Sequence, residues 1–282
     1  MKIYRNEKKL RELYEKYHSG VKIAKLLCVK DATIYTWLKK FGINTAGTGS
    51  QGARKHFFDE HFFDTIDSEM KAYWLGFITA DGCVYHGSDS NSYRLQINLA
   101  SIDRYMLERF QQDLHSDYKI ACKKSRTDAG NIREICELKI NSTALCDALM
   151  RLGVTPRKTS CCKMPPIPAE LYPHYIRGYF DGDGCISWKY NKPGRSRIDI
   201  VGNDSFLEEL QCIFLHNGIE SYIYPMVSTE IVETLSIVNL DMIELAYHFM
   251  YDNSTFHMTR KYDKFQTFLN YQVSRRTEMF GQ

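Results

Sequence analysis

Two acidic dipeptides carry the chemistry that this sequence suggests. Asp81-Gly82 and Asp183-Gly184 lie 102 residues apart, and each closes a run of largely apolar residues, Tyr73 to Ala80 and Tyr175 to Gly182. An Asp-Gly pair alone is a common hairpin turn. Here small residues recur four apart in each run, Gly76 with Ala80 and Gly178 with Gly182, and that spacing puts both on one face of a helix. Facing stripes of small residues let two helix backbones approach closely, which would bring Asp81 and Asp183 side by side at a seam. Each helix end then offers a carboxylate and the unpaired carbonyl oxygens of its last turn, those of Ala80 and Gly182 among them, at the negative end of the helix dipole. Hard oxygen donors of this kind suit Mg²⁺, which binds through one or two carboxylates together with waters and substrate phosphates. A metal so placed activates a water and stabilises the leaving oxygen of a phosphodiester. Gly82 and Gly184 are expected to end the helices as C′ residues with φ > 0.

The elements around the two runs repeat as well. Each run is followed by a strand pair, Cys83 to Tyr85 with Arg94 to Leu99 and Cys185 to Tyr190 with Arg197 to Val201, and then by a helix opening at Asp103 or Asp204. A second pair comes next, Tyr118 to Ser125 with Arg133 to Ile140 and Tyr222 to Val227 with Ile231 to Val238, and then a helix from Ser142 or Asp241. Alternation assigns the faces: Leu95, Ile97 and Leu99 against Arg94, Gln96 and Asn98, and Ile198 and Ile200 against Arg197 and Asp199. An antiparallel sheet with helices behind it and a broad polar front is an α+β layer.

The N-terminal segment reads differently. Leu10, Leu13, Tyr14 and Tyr17 mark a helix over Glu7 to His18, Ile23, Ala24 and Leu27 a second over Val21 to Leu27, and Ile34, Trp37, Leu38 and Phe41 a third, with Asp31 as its N-cap. The stretch VKIAKLLCVKDATIYTWLKKFGI resembles a helix-turn-helix, although its turn lacks the common Gly. In that family the last helix enters the major groove, which implies that Thr33, Tyr35, Thr36, Lys39 and Lys40 face DNA. Residues 44–56, rich in Gly and free of large apolar side chains up to His56, read as a flexible basic linker that includes Arg54.

Composition narrows the class. At 282 residues and 44% hydrophobic, the chain is long enough for two or three folding units and reads as ordered and globular. It shows neither a spanning apolar run nor a signal peptide, so it is expected to be intracellular and not secreted, in the cytoplasm or an organelle. Nine cysteines, an odd number with no CxxC pair, suggest reduced and mostly buried thiols rather than a disulfide framework or a zinc ribbon. The net charge is only +3, but residues 1–56 hold 13 Lys plus Arg against 4 Asp plus Glu, which leaves the remainder acidic. The basic footprint of DNA binding is explicit at the N-terminus alone.

The segments WLGFITADG (residues 74–82) and IRGYFDGDG (residues 176–184) resemble the two LAGLIDADG motifs of single-chain homing endonucleases, and the resemblance extends over roughly residues 57–270. It implies an α+β fold, a pseudo-twofold αββαββα repeat forming a DNA-straddling saddle, preceded by the small all-α domain. It further implies metal binding by Asp81 and Asp183 and cleavage that leaves four-nucleotide 3′ overhangs. Mg²⁺ would be the cofactor, with Mn²⁺ substituting, and a monomer would act on double-stranded DNA. At the sixth motif position the copies differ, Thr79 against Asp181, but that position is not a metal ligand in the family. The resemblance also implies a lysine near each scissile phosphate, and the pairs Arg157-Lys158 and Arg260-Lys261 make Lys158 and Lys261 the candidates. Ser101 and Asn203 are candidates for positioning water. Candidate DNA contacts are Arg94, Gln96, Asn98, Lys119, Lys123, Lys124, Arg126, Arg133, Lys189, Lys192, Arg195 and Arg197. The expected organisation is 1–43 helix-turn-helix, 44–56 linker, 57–163 first half, 164–270 second half and 271–282 tail. Two alternatives stay open: a non-cutting transcriptional regulator, and a maturase that binds host intron RNA.

Overall fold

The computed structural model describes residues 3–17, 19–43, 56–86, 92–126, 130, 132–156, 161–188, 196–226 and 232–280. It divides into two compact units, Met1–Phe57 and Phe58–Gln282.

In the smaller unit, helices α1 (Glu7–Tyr17), α2 (Gly20–Leu26) and α3 (Asp31–Lys40) close over Leu10, Tyr14, Ile23, Ala24, Ile34 and Leu38. Ser19 caps α2 by accepting a bond from the Lys22 amide at 3.3 Å. Asp31 is the first helical residue and Lys30 the cap, a correction of one position to the expected start of α3. The acid still meets the positive end of the helix, accepting from the Ala32 amide at 2.8 Å. Between α2 and α3, Cys28 takes the left-handed conformation at φ 51°, the role that the missing Gly would fill.

The larger unit is α+β and runs through two αββαββα halves. The first comprises α4 (Glu69–Asp81), β1 (Gly82–His86), β2 (Tyr93–Ala100), α5 (Arg104–Asp113), β3 (Ala121–Arg126), β4 (Ile132–Asn141) and α6 (Thr143–Arg151). The second comprises α7 (Tyr172–Asp183), β5 (Cys185–Ser187), β6 (Arg197–Gly202), α8 (Asp204–His216), β7 (Tyr222–Pro225), β8 (Glu233–Ile237) and α9 (Leu240–Tyr251). Each half makes a four-stranded antiparallel sheet, in the orders β1-β2-β4-β3 and β5-β6-β8-β7. The expected alternation holds, because Leu95, Ile97, Leu99, Ile198 and Ile200 are buried while Asn98 and Arg197 are exposed on the opposite face. One continuous core, with Trp74, Phe77, Phe110, Phe180 and Phe206 among its largest members, joins the helices of both halves to their sheets. Among the described residues no helix is long and apolar enough to cross a membrane.

Three features depart from the sequence reading. A last helix, α10 (Thr259–Phe280), runs straight through positions where a tail from residue 271 was expected. Its face toward the core carries Phe265, Phe268 and Gln272, all buried, and that face holds it down. The cysteines are neither all reduced nor mostly buried: Cys122 and Cys136 are joined as a disulfide, and Cys28, Cys83, Cys161, Cys185 and Cys212 are exposed. The pairing follows from register, since Cys122 lies directly opposite Cys136 across β3 and β4. Finally, Gly82 and Gly184 are extended, at φ −82° and −76°, rather than left-handed. Each helix passes directly into a strand, and glycine is required for space: a Cβ on Gly82 would lie 2.6 Å from the Ile78 carbonyl oxygen, and one on Gly184 would enter the Phe180 ring.

Candidate active site

The seam between α4 and α7 is as close as their small residues predict. A Cβ built on Gly76 would overlap the Tyr175 carbonyl oxygen, and one on Gly178 would overlap that of Tyr73. At the far end of the seam a Cβ on Gly182 would collide with that of Ala80 and lie 3.4 Å from Asp81 Oδ2. The donors are therefore crossed. The Asp81 carboxylate stands over Gly182 of the facing helix, while Asp183 shares a small cleft with Ala80, Thr79, Tyr179 and Asn203. Asp81 is half-buried and Asp183 exposed at the head of the two polar sheet faces.

Among the described residues no group of three or more His, Cys, Asp or Glu side chains is arranged to hold a metal ion. What the seam offers is two carboxylates and adjacent helix-end carbonyls. That donor set is too sparse and too hard for a zinc site, but it fits Mg²⁺, which fills its octahedron with water and phosphate oxygens.

Lys261 reaches the site from behind. It is 4% exposed, and its Nζ donates to Phe180 O at 2.6 Å and Gly182 O at 2.9 Å, capping the last carbonyls of α7. Burial pulls its pKa down to about 8, against the opposing charge of Asp181 and, more weakly, of Asp81 and Asp183. The Lys261 ammonium is seated in the fold rather than offered to solvent. Lys158 lies outside the described residues, as do Arg54, Lys189, Lys192 and Arg195.

The cluster that sequence reasoning missed surrounds Asp181. Its carboxylate, fully buried, accepts bonds from Tyr73 OH (2.8 Å), Tyr251 OH (2.9 Å) and the Met258 amide (2.7 Å). Burial pushes its pKa up, and the Met258 bond and Lys261 oppose that shift. Beside it Arg177, also fully buried, donates to Glu69 Oε1 on α4 (2.8 Å) and to the carbonyls of Met250 (2.9 Å) and Phe256 (3.1 Å). Only the unlike residues at the sixth motif position hinted at this cluster.

The polar sheet faces carry their own internal pairing. Glu137 accepts from Gln96 (3.1 Å), Lys123 (3.3 Å) and Lys139 (2.8 Å), and Arg94 donates to Asn141 (2.8 Å). On the second sheet Asp199 takes Arg197 at 2.7 Å and the Ser236 hydroxyl at 2.6 Å. Lys123 and Arg133 share the polar face, since Lys123 opposes Ile135 and Arg133 opposes Ser125 in a period-two register. The same register turns Lys124 and Arg126 to the other face, so these two leave the expected strand surface, while Lys119 is exposed just before β3. Asn203 caps α8, accepting from the Phe206 amide (2.9 Å) and donating to Cys162 O (3.0 Å), and lines the cleft that holds Asp183. Ser101 is half-buried and opens a single 3₁₀ turn. In the smaller unit Thr36, Lys39 and Lys40 are exposed along α3, while Thr33 and Tyr35 are half-buried, the Tyr35 ring lying against Gly20.

Comparison with known proteins agrees with this architecture. The family described as LAGLIDADG-like domain matches residues 68–153 and 170–245, more than half of the chain. The probable translation initiation factor IF-2 of Methanocaldococcus jannaschii is 28% identical over 166 residues, which cover 56% of this chain but only 13% of that protein. The LAGLIDADG homing endonuclease I-GzeII in complex with its DNA target superposes with a TM-score of 0.50 at 10% identity, covering 74% of this chain and 91% of that one. The complex of I-DmoI with DNA and Mn gives 0.42 at 18% identity, over 65% and 97% of the two chains. The chain belongs to the LAGLIDADG family, whose solved members include homing endonucleases bound to DNA.

Proposed function

We propose that this protein is a site-specific homing endonuclease that makes a divalent-metal-dependent double-strand break in a long DNA target, leaving four-nucleotide 3′ overhangs. The observation that carries this reading is the crossed pairing at the seam, Asp81 over Gly182 and Asp183 beside Ala80, which presents two carboxylates at the head of two polar sheets. The residues that would hold Mg²⁺ are Asp81 and Asp183 with the carbonyl of Ala80, and that of Gly182 only through the lone pair not taken by Lys261, and a bound ion would supply water activation and leaving-group stabilisation. The polar faces, with Arg94, Gln96, Asn98, Lys123, Arg133 and Arg197, would read base edges and phosphates. Cleavage selection from a randomised DNA library with Mg²⁺, followed by end mapping, tests the reading: staggered ends at one site support it. Recovery of bound but uncut DNA would replace it with the regulator, and selective retention of intron RNA with the maturase.

Two expectations follow from the arrangement. Deleting residues 1–43 removes the basic three-helix unit proposed to read flanking DNA. The footprint should shorten and the affinity fall, while the cut position stays where it was. The salt dependence should weaken too, by about 0.9 in the slope of log affinity against log salt for each phosphate that the truncated protein no longer neutralises. An unchanged footprint, measured by nuclease protection, rejects a DNA-reading role for this unit. Lys261→Met keeps most of the buried volume but leaves two helix-end carbonyls uncapped next to the acids. Cleavage should slow much more than binding weakens, and equal losses in single-turnover and binding assays would reduce Lys261 to a structural group.

A further inference from the structure

We infer that Asp181 is a positioning residue that seats Lys261 on the end of α7, and that Thr79, at the matching position of the facing helix, cannot act in the same way, so that the two halves of the site are unequal. The inference rests on the nuclease reading for its consequence, but not for its structural content.

The connection is short and fully buried. Asp181 Oδ2 accepts from the amide of Met258, the residue immediately before α10, and from Tyr73 OH of the other half, while Oδ1 takes Tyr251 OH of α9. The carboxylate that holds the Met258 amide is therefore itself held by both halves. The Met258 carbonyl in turn accepts the Lys261 amide at 3.1 Å, so the first turn of α10 is anchored at the point where its lysine projects. From there Nζ spans to Phe180 O and Gly182 O. A buried ammonium is stable only with a compensating charge and satisfied donors. Asp181 is the carboxylate that acts most strongly on it.

The first half carries no acid at the matching position. Thr79 there is neutral and gives its hydroxyl hydrogen to Leu75 O within its own helix at 2.7 Å. Tyr175, the counterpart of Tyr73, is turned toward that threonine instead of toward an acid. Among the described residues the anchored ammonium is that of Lys261 at the α7 end, on the carbonyl of the glycine that Asp81 overhangs. A change at Asp181 should act first on the strand processed at the Asp81–Gly182 end.

Asp181→Asn is nearly isosteric and removes the charge while leaving an oxygen to accept from Met258. With a supercoiled plasmid that carries the target, this variant should accumulate nicked circles cut on a single defined strand, the ratio of strand rates shifting on the order of tenfold. In metal-free protein the second readout is acylation of Lys261 by an N-hydroxysuccinimide ester, followed by peptide mass spectrometry. Lys261 should be protected in the wild type and labelled on the order of tenfold faster in the variant. Should Asp181→Asn fail to fold, Tyr251→Phe, which deletes one donor and keeps the charge, should move both readouts less far in the same direction. Equal slowing of both strands with Lys261 still protected would overturn the inference and leave Asp181 as a core residue. If the wild type cuts no DNA, the nuclease reading fails, and the labelling arm still decides the Asp181–Lys261 connection by itself.

Discussion

Asp81→Asn and Asp183→Asn are each expected to lower the rate of double-strand cleavage by roughly 10³-fold or more, the scale on which a group that stabilises charge in a transition state is missed. Each change removes half of a two-carboxylate donor set, and among the described residues no third acidic, cysteine or histidine ligand is grouped there to replace it. Folding should be nearly untouched. Asn has the shape of Asp, Asp183 is exposed and Asp81 is only half-buried, and substitutions at such positions usually stay within about 0.5 kcal/mol. DNA binding should hold or tighten, because a negative charge beside the phosphates is removed. The two effects therefore separate, and a filter-binding assay run beside a cleavage assay reads both. Metal-free wild type should behave like the variants. Ca²⁺, with its larger and looser shell, should support binding while coupling poorly to cleavage. Near wild-type cleavage by either variant in Mg²⁺ would eliminate the two-carboxylate mechanism.

The parts of this protein that were legible in its sequence are those set by a period. Leu95, Ile97 and Leu99 alternate with polar residues, so one face of β2 had to be core, and the structure buries all three. Gly76 with Ala80 and Gly178 with Gly182 obey the helical period, so the close seam could be expected from spacing alone. The same arithmetic, carried one step further, would have removed Lys124 and Arg126 from the polar face, since they differ in parity from Lys123. The parts that were not legible depend on register or on burial, to which local spacing is blind. Cys122 and Cys136 are 14 residues apart, and only the pairing of β3 with β4 makes them neighbours. Gly82 and Gly184 lie where helix-ending glycines lie, yet they serve close packing against Ile78 and Phe180 and not a left-handed turn. A lysine after the last helix reads as a solvated charge. Lys261 is buried because the carbonyls of Phe180 and Gly182, far earlier in the chain, take up its ammonium, with the Asp181 charge favouring it there.

Gly76→Ala and Gly178→Ala test the seam itself, and here two effects oppose each other. Alanine is the better helix former by about 1 kcal/mol, which by itself predicts stabilisation. Against this, the added methyl has no room: at Gly76 it would overlap the Tyr175 carbonyl oxygen and approach the Tyr179 amide nitrogen to 2.8 Å, and at Gly178 the matching groups belong to Tyr73 and Phe77. The obstacles are backbone atoms of a packed helix, so no rotamer change relieves them. The helices must separate, in a region where Tyr73, Trp74, Phe77, Tyr175 and Ile176 are all almost fully buried. Overpacking of this sort costs about 1–3 kcal/mol, occasionally more, and with backbone on both sides the cost should fall at or above the upper end. The clash therefore wins, with a net loss of about 2 kcal/mol for each variant. For a unit of this size that lowers the melting temperature by about 4–8 °C. The loss of cleavage should be larger than the loss of stability suggests. Moving the helices apart also separates Asp81 from Gly182 and Asp183 from Ala80, and a misplacement of about 1 Å at a reacting centre can cost 10²-fold. Calorimetry and single-turnover cleavage at a temperature where both variants remain folded distinguish the two losses. A melting temperature equal to or above that of the wild type would mean that the helices are not pressed together as the structure has them, and the crossed pairing of donors would fall with it.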